Sequence, residues 1–223
     1  MAMGGMSDMS TRERILETAI ELFSKHGFND VSVRDITGAV GIKESSLYNH
    51  FGSKQQILDE IFNYLDREFS SMTIPEDEAA KLIEGMDPEQ FMDICITNFK
   101  MYFGNPKLMK IWRIVSIERF RNARANDFFI KHLIDYPIQY QANVFEAMKK
   151  KGSIADADPR VLARAFYSFI LFIYMRYFEV DSSEYSITEA DNPDAVNPVD
   201  SPEIQGMIKA QMDFLRKAYR GQA

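Results

Sequence analysis

Residues 32–54 read SVRDITGAVGIKESSLYNHFGSK and contain the clearest structural pattern in the chain. Hydrophobic residues recur at helical spacing on either side of Gly41, which predicts two short helices joined by a tight turn. A glycine suits such a turn because it adopts a positive φ without steric cost. Leu47 and Phe51 are four residues apart and therefore share one face of the second helix. The other face is polar, as in helices that enter a DNA groove, and carries Lys43, Ser45, Ser46, Tyr48, Asn49 and His50.

Helix-start signals flank this stretch on both sides. Ser10 and Glu13 have the capping-box spacing ahead of an amphipathic helix, and Gly27 is placed to end it. Gly38 is unfavourable inside a helix, and a close helix crossing would explain it. Pro137 is expected to kink a later helix. The predicted later helices cover residues 54–71, 88–103, 106–125, 127–151, 159–178 and 202–219, with an acidic connection over 181–202. Because no segment alternates apolar and polar residues as a strand does, the predicted fold class is all-α.

The charge balance restricts how the chain can bind nucleic acid. The 223 residues carry a net charge of −7, so the surface as a whole does not attract DNA. Residues 32–54 hold three basic and two acidic side chains, which is a local net charge of +1. These values count against a protein that coats DNA non-specifically more than against a specific binder with a small contact patch.

The sequence contains no arrangement typical of an enzyme. Its three histidines, His26, His50 and His132, are far apart, and a metal-spaced cluster, a nucleophile with paired carboxylates and a glycine-rich phosphate loop are all missing. We therefore expect no catalysis, no metal and no cofactor. The single cysteine, Cys95, has no disulfide partner and fits a reducing cytoplasm. The most hydrophobic segment, residues 165–175, is too short to span a bilayer, so we expect no membrane partner.

Two separated motifs occur in the order and spacing of one known family. A Gly-Phe turn at residues 27–28 follows the first helix, and the run LYNHFGSK occupies residues 47–54. With these motifs, residues 12–58 resemble the DNA-binding domain of the TetR (tetracycline-repressor-like) family of bacterial and archaeal transcription regulators. The rest of the chain resembles the family only in being an aromatic-rich helical bundle of suitable length.

The resemblance implies an N-terminal three-helix DNA-binding domain with a helix-turn-helix and a C-terminal helical bundle. The expected parts are a flexible tail over 1–9, the DNA-binding domain over 10–56, and a ligand-binding and dimerisation domain over 57–223. A homodimer would then bind a palindromic double-stranded DNA operator and repress transcription until a small effector releases it. The implied phosphate contacts are Ser32, Tyr48, His50 and Lys54, and the implied base-edge contacts are Arg34, Lys43, Ser45, Ser46 and Asn49.

Several of these side chains also have a purely structural interpretation. Tyr48 and His50 would equally cover the edge of the three-helix core. Arg34 would equally form a surface ion pair with Asp35 or Glu44. The alternative function is a helical protein-interaction module without sequence-specific DNA binding.

The C-terminal expectations rest on aromatic content and on the same resemblance. A mainly apolar or aromatic effector is expected between helices of residues 90–178, although the same side chains would serve equally well as core. The expected lining residues are Phe99, Tyr102, Phe103, Trp112, Phe120, Tyr136, Tyr140, Phe166 and Tyr167. Residues 161–178 and the last helix are expected to form the dimer interface, with a merely buried central helix as the alternative. The expected interface residues are Phe169, Phe172, Ile173, Met207, Met212, Phe214 and Leu215.

Overall fold

A computed structural model describes residues 9–72, 86–154, 156–179 and 201–219. These residues form helices and connecting turns without any strand, which confirms the predicted all-α fold. In chain order the helices are α1 (Thr11–His26), α2 (Val33–Val40), α3 (Glu44–Tyr48), α4 (Lys54–Met72), α5 (Pro88–Phe103), α6 (Pro106–Glu118), α7 (Ala123–Ile130), α8 (Tyr136–Lys150), α9 (Pro159–Ile173) and α10 (Pro202–Tyr219). π-Helical segments follow α7 at Lys131–Asp135 and α9 at Tyr174–Glu179. The predicted tail over 1–9 and the acidic connection over 181–202 lie almost wholly outside the described residues.

The chain divides into two compact units. The first comprises residues up to 72 together with 110–127, and the second comprises residues 73–109 together with 128–223. The functional boundary expected after residue 56 stays a prediction.

The first unit is built on a largely apolar core. α1 packs on α2 and α4, and α2 packs on α3. Reciprocal capping boxes start α1 at Ser10 and α2 at Ser32, as the sequence predicts for α1. Burying each large apolar side chain contributes about 1.5–3 kcal/mol, and this burial fixes the position of the short α3. The buried core residues are Ile15, Ala19, Ile20, Phe23, Ile36, Leu47, Phe51, Ile57, Leu58, Ile61, Phe62 and Leu65.

The second unit is a helical bundle rich in aromatic contacts. α8 and α9 lie side by side, and α10 packs on both α5 and α9. The Tyr167 hydroxyl donates to the Leu133 carbonyl at 2.8 Å, which ties α9 to the π-helical segment before α8. Burial raises the pKa of the Tyr167 hydroxyl well above its usual value, so this group stays a donor.

Two local expectations need correction, and one possible explanation is not supported. The helix predicted to continue to residue 125 ends at Glu118, because Asn122 accepts from the Ala125 N–H at 3.2 Å and starts α7. The kink expected at Pro137 takes the form of a π-helical segment directly before α8, where proline can occupy the first turn. The close helix crossing that would explain Gly38 is not observed, since a Cβ there would meet no atom within 4 Å.

Among the described helices, none combines the length and the hydrophobicity that a membrane span requires.

Candidate nucleic-acid interface

α3 is anchored through its buried side. Leu47 within the helix and Phe51 just after it are both buried in the core of the first unit. The helix covers only residues 44–48, so Asn49 and His50 lie in the turn that follows and not on the helix itself. Because the apolar side is fixed, the polar side of α3 faces outward.

The turn between α2 and α3 has the geometry expected at Gly41. This residue has φ 77° and ψ 37°, the left-handed conformation that glycine adopts most easily. The N–H groups of Gly41 and Ile42 both donate to the Thr37 carbonyl, at 2.9 and 3.0 Å. Arg14 on α1 donates to the Val40 carbonyl at 2.5 Å, which satisfies a further carbonyl at the end of α2. The turn is therefore closed by hydrogen bonds on both sides.

The residues predicted to contact DNA lie largely on the surface. Tyr48 is 51% exposed, and Ser46 and Lys54 are half-buried. The other exposed members are Ser32, Arg34, Lys43, Ser45, Asn49 and His50. This exposure permits contact with a ligand, and the individual DNA contacts stay predictions.

Ser32 and Asp35 cap one another at the start of α2. The Ser32 hydroxyl and N–H both donate to Asp35 Oδ2 at 2.7 Å, and Ser32 Oγ accepts from the Asp35 N–H at 3.2 Å. These hydrogen bonds from Ser32 hold the pKa of the Asp35 carboxyl below its usual value. Asp35 is thus occupied within α2, and Arg34 pairs elsewhere.

Arg34 pairs with Glu44, one of the two partners that its structural interpretation offers. Arg34 Nε lies 2.9 Å from Glu44 Oε1, and both side chains are largely exposed. An exposed pair of this kind contributes little to stability. It does, however, link the start of α2 to the start of α3 and orient the arginine.

Lys54 is committed to the turn between α1 and α2. Its Nζ donates to the carbonyls of Phe28 and Val31, each at 2.6 Å, and lies 4.2 Å from the centroid of the Phe28 ring. The sequence pattern gives no sign of these contacts, since 26 residues separate Lys54 from Phe28. Lys54 therefore has a structural role in stabilising this turn, and its contact with a DNA phosphate stays a prediction.

Glu118 is a residue that the sequence analysis does not identify. The residue is 3% exposed, and its Oε1 accepts from the Phe28 N–H at 3.1 Å. Only the three-dimensional fold brings these residues together, because they are 90 positions apart in the sequence. Glu118 thus joins α6 to the turn that precedes the predicted DNA-contact residues.

The residues predicted to line a ligand pocket belong to different units. Trp112 is buried in the first unit beside Phe69, with the ring centroids 5.8 Å apart. Phe120, also in the first unit, is 82% exposed, so the structure does not support it as a residue lining an enclosed pocket. The remaining seven predicted residues lie in the second unit: Phe99, Tyr102, Phe103, Tyr136, Tyr140, Phe166 and Tyr167.

Within the second unit, most of the predicted pocket residues contact other aromatic side chains. Phe103 lies 4.7 Å from Phe99 and 5.4 Å from Tyr174, measured between ring centroids. Tyr136 and Tyr140 stack at 6.4 Å nearer the surface. A groove of about 670 Å³ is bordered by Tyr136 and by charged side chains, including Lys131, Asp135, Arg160 and Arg164. The effector site stays a prediction.

The residues predicted at the dimer interface also separate into two groups. Phe172 on α9 is 52% exposed and Phe214 on α10 is 64% exposed, while Phe169 and Met207 are half-buried. Three further residues, Ile173, Met212 and Leu215, are buried within the single chain. The dimer interface stays a prediction.

The residues that the structure describes include no group of three or more His, Cys, Asp or Glu side chains placed to hold a metal ion. Burial raises the pKa of the Cys95 thiol to about 12, which makes this cysteine a weak nucleophile at neutral pH.

Comparison with known proteins points to the same part of the chain. The sequence model for "Bacterial regulatory proteins, tetR family" matches residues 15–61. The HTH-type transcriptional repressor KstR2 of Mycobacterium tuberculosis (strain ATCC 25618 / H37Rv) is 37% identical over 76 residues, which cover 34% of this chain and 38% of that protein. The negative transcriptional regulator IcaR of the biofilm operon icaADBC, from Staphylococcus aureus (strain Newman), is 39% identical over 59 residues, covering 25% of this chain and 32% of that one. The matched region is thus less than two-fifths of these relatives.

The likeness in fold extends much further than the likeness in sequence. The solved structure of the ketosteroid transcriptional regulator KstR2 of Mycobacterium tuberculosis has a TM-score of 0.58 and covers 96% of each chain at 16% sequence identity. A structure described as that of a putative tetR-family transcriptional regulator from Mesorhizobium loti MAFF303099 has a TM-score of 0.59, with 94% of this chain and 96% of that chain covered at 16% identity. Residues 15–61 thus match the tetR family of bacterial regulatory proteins in sequence, and the helical fold of the chain is similar to that of these solved structures.

Proposed function

We propose that this chain is a DNA-binding transcriptional repressor that acts in the cytoplasm as a homodimer on a palindromic operator. A small, mainly apolar or aromatic effector would release it from DNA. The proposal includes no catalytic activity and no cofactor. It is supported by the family match over residues 15–61 and by relatives whose names describe transcriptional repressors.

The observation that carries the proposal is the exposed polar side of the helix-turn-helix. Leu47 and Phe51 fix α3 in the core, which leaves Tyr48 and its polar neighbours available to a ligand. A helix with short polar side chains suits the major groove, where base edges present donors and acceptors. Arg34 offers paired N–H donors that fit guanine, and Asn49 offers a donor and an acceptor that fit adenine.

A dimer would make more base contacts than a single subunit can. α3 has only five residues, so a single copy makes too few base contacts for a unique site. Two copies related by a two-fold axis would read half-sites about 34–36 Å apart, or a multiple of that spacing. The exposed Phe172 and Phe214 support an interface formed by α9 and α10.

Release by an effector follows from linkage. An effector that binds the DNA-free state more tightly lowers the affinity for DNA, and DNA lowers the affinity for the effector by the same factor. The many aromatic side chains of the second unit support a mainly apolar or aromatic ligand.

Selection of bound sequences from random double-stranded DNA tests the proposal directly. The purified full chain is expected to enrich a palindrome with two half-sites. The variant Tyr48→Ala, which changes an exposed side chain of α3, is expected to weaken binding to that sequence by a similar factor at each salt concentration, because tyrosine carries no charge. Failure to enrich any sequence would overturn the proposal and favour a protein-interaction module.

A further inference from the structure

Phe28 lies in the turn between α1 and α2, and its backbone is held from two sides. Its carbonyl accepts from Lys54 Nζ at 2.6 Å, and its N–H donates to Glu118 Oε1 at 3.1 Å. Lys54 Nζ also donates to the Val31 carbonyl at 2.6 Å. We call Phe28, Val31, Lys54 and Glu118 the Phe28 clasp. It joins the first residue of α4 and the last residue of α6 to one short turn.

The acidic half of the clasp is buried. Glu118 is 3% exposed, and a carboxylate in such a place is costly unless hydrogen-bond donors face it. Gly27 permits the close approach, since it has φ 79° and a Cβ there would lie 3.5 Å from Ile117 and 3.7 Å from Glu118 Oε1. The glycine that ends α1 therefore also places the Phe28 N–H against α6.

The basic half of the clasp uses most of the donors that Lys54 has. An ammonium group carries three N–H donors, and two of them are directed at backbone carbonyls. The ring of Phe28 attracts the same charge from 4.2 Å. A lysine held in this way stabilises the turn in the absence of DNA.

We propose that Lys54 and Glu118 are positioning residues for DNA binding. They fix Phe28 and Val31, and thereby set where Ser32 and Arg34 lie at the start of α2. Lys54 acts through this turn and not through a phosphate. The inference rests on the proposed function, since it concerns how the DNA-contact residues are placed.

Amide hydrogen exchange of the full chain without DNA tests the clasp itself. Glu118→Ala removes the acceptor of the Phe28 N–H and is expected to accelerate exchange of that amide about tenfold or more, as for a turn that opens locally. Glu118→Gln retains a carbonyl oxygen and is expected to accelerate it less than about threefold. Unchanged exchange at Phe28 in Glu118→Ala would overturn the clasp. If that variant does not fold, Lys54→Met provides the same test, through exchange of residues 28–32.

The salt dependence of operator binding tests the role of Lys54. Lys54→Met is expected to weaken binding about tenfold at every salt concentration, with the slope of log K against log salt unchanged. A lysine that contacts one phosphate in each subunit would instead reduce the slope by about 1.8 for the dimer. Lys43→Met removes the same charge from the exposed start of α3 and serves as the comparison for a lysine on the predicted DNA-contact surface. A slope reduced by about 1.8 in Lys54→Met would overturn the positioning role.

The two measurements separate the clasp from the proposed function. Amide exchange needs no DNA, so it decides the clasp even in a protein that selects no sequence. Wild-type protein that binds its operator, with Lys54→Met and Glu118→Ala binding equally well, would overturn the positioning role and leave the proposed function intact.

Discussion

Arg34 Nε donates a hydrogen bond to Glu44 Oε1 at 2.9 Å, and this bond links α2 to α3 across the helix-turn-helix. The arginine side chain is 85% exposed and that of the glutamate is 45% exposed. Because the bond uses Nε, the terminal N–H groups of the guanidinium remain available to a partner in the groove. Glu44 therefore orients Arg34 more than it stabilises the fold.

Glu44→Gln is expected to relax base discrimination while leaving stability nearly unchanged. The exposed pair contributes little, so the free energy of unfolding should change by less than about 0.5 kcal/mol. Loss of a negative charge near the phosphates should raise affinity for non-specific DNA, and a less oriented Arg34 should discriminate less at one base pair. Binding titrations with the selected operator and its single-base variants measure both effects.

Arg34→Lys is the matched control for this prediction. It keeps the charge but loses the planar fork, so discrimination at the same base pair should fall by about 1–3 kcal/mol. If Glu44→Gln and Arg34→Lys affect different base pairs, Glu44 does not act through Arg34.

Gly38→Ala and Gly41→Ala are expected to change stability in opposite directions. Neither Cβ would meet an atom within 4 Å, so packing does not contribute to the difference. Gly38 lies inside α2, where alanine gains up to about 1 kcal/mol in helix propensity. Gly41 has φ 77°, which costs a residue with a Cβ about 1 kcal/mol or more. Urea unfolding of both variants and the wild type measures the difference, and a loss of stability in Gly38→Ala would contradict it.

The sequence alone predicts the N-terminal unit well because its signals are local. The capping box at Ser10 and the glycine at position 41 act over a few residues and appear in the structure as expected. Contacts between distant segments leave no such local sign. Glu118 forms a hydrogen bond with Phe28, 90 positions away in the sequence, and no periodicity or motif indicates that contact.

The aromatic side chains show a second limit of sequence reasoning. Phe120 and Phe166 have the same side chain, yet one is exposed and the other is buried. Composition cannot separate core from pocket or surface, because all three use the same residue types. The position of Phe120 in the connection after α6, which depends on where that helix ends, decides its exposure.

Glu21 should make the first unit sensitive to acid. Although burial opposes it, hydrogen bonds from Lys110 and Lys25 hold the pKa of the Glu21 carboxyl below its ordinary value of 4.5. A carboxyl with a lowered pKa in the folded state stabilises the fold above pH 4.5, and this contribution is lost as the pH falls through the folded-state pKa. Glu21→Gln is therefore expected to destabilise the protein at pH 7 by less than about 1 kcal/mol, since the group is partly solvated.

The pH dependence distinguishes this effect from a simple loss of packing. Urea unfolding at neutral pH should separate wild type from Glu21→Gln, and unfolding below the folded-state pKa should not. A stability difference that persists unchanged into acid would assign it to packing.

Phe172 and Phe214 provide the sharpest test of the proposed dimer. Both are exposed in one subunit although they are large and apolar, and they lie on α9 and α10, which pack together. Arginine at either position would place a charge in the core of an interface, which is costly without a partner. Phe172→Arg combined with Phe214→Arg is expected to produce a folded monomer that binds the operator at least about 100-fold more weakly, because each half-site then binds alone.

Sedimentation velocity and operator titration measure the two outcomes on the same samples. Phe120→Arg is the matched control, since Phe120 is equally large and 82% exposed but belongs to the first unit. It should remain dimeric if α9 and α10 form the interface. A double variant at Phe172 and Phe214 that stays dimeric would place the interface elsewhere. A dimeric wild type that becomes monomeric only with Phe120→Arg would assign the interface to the connection after α6.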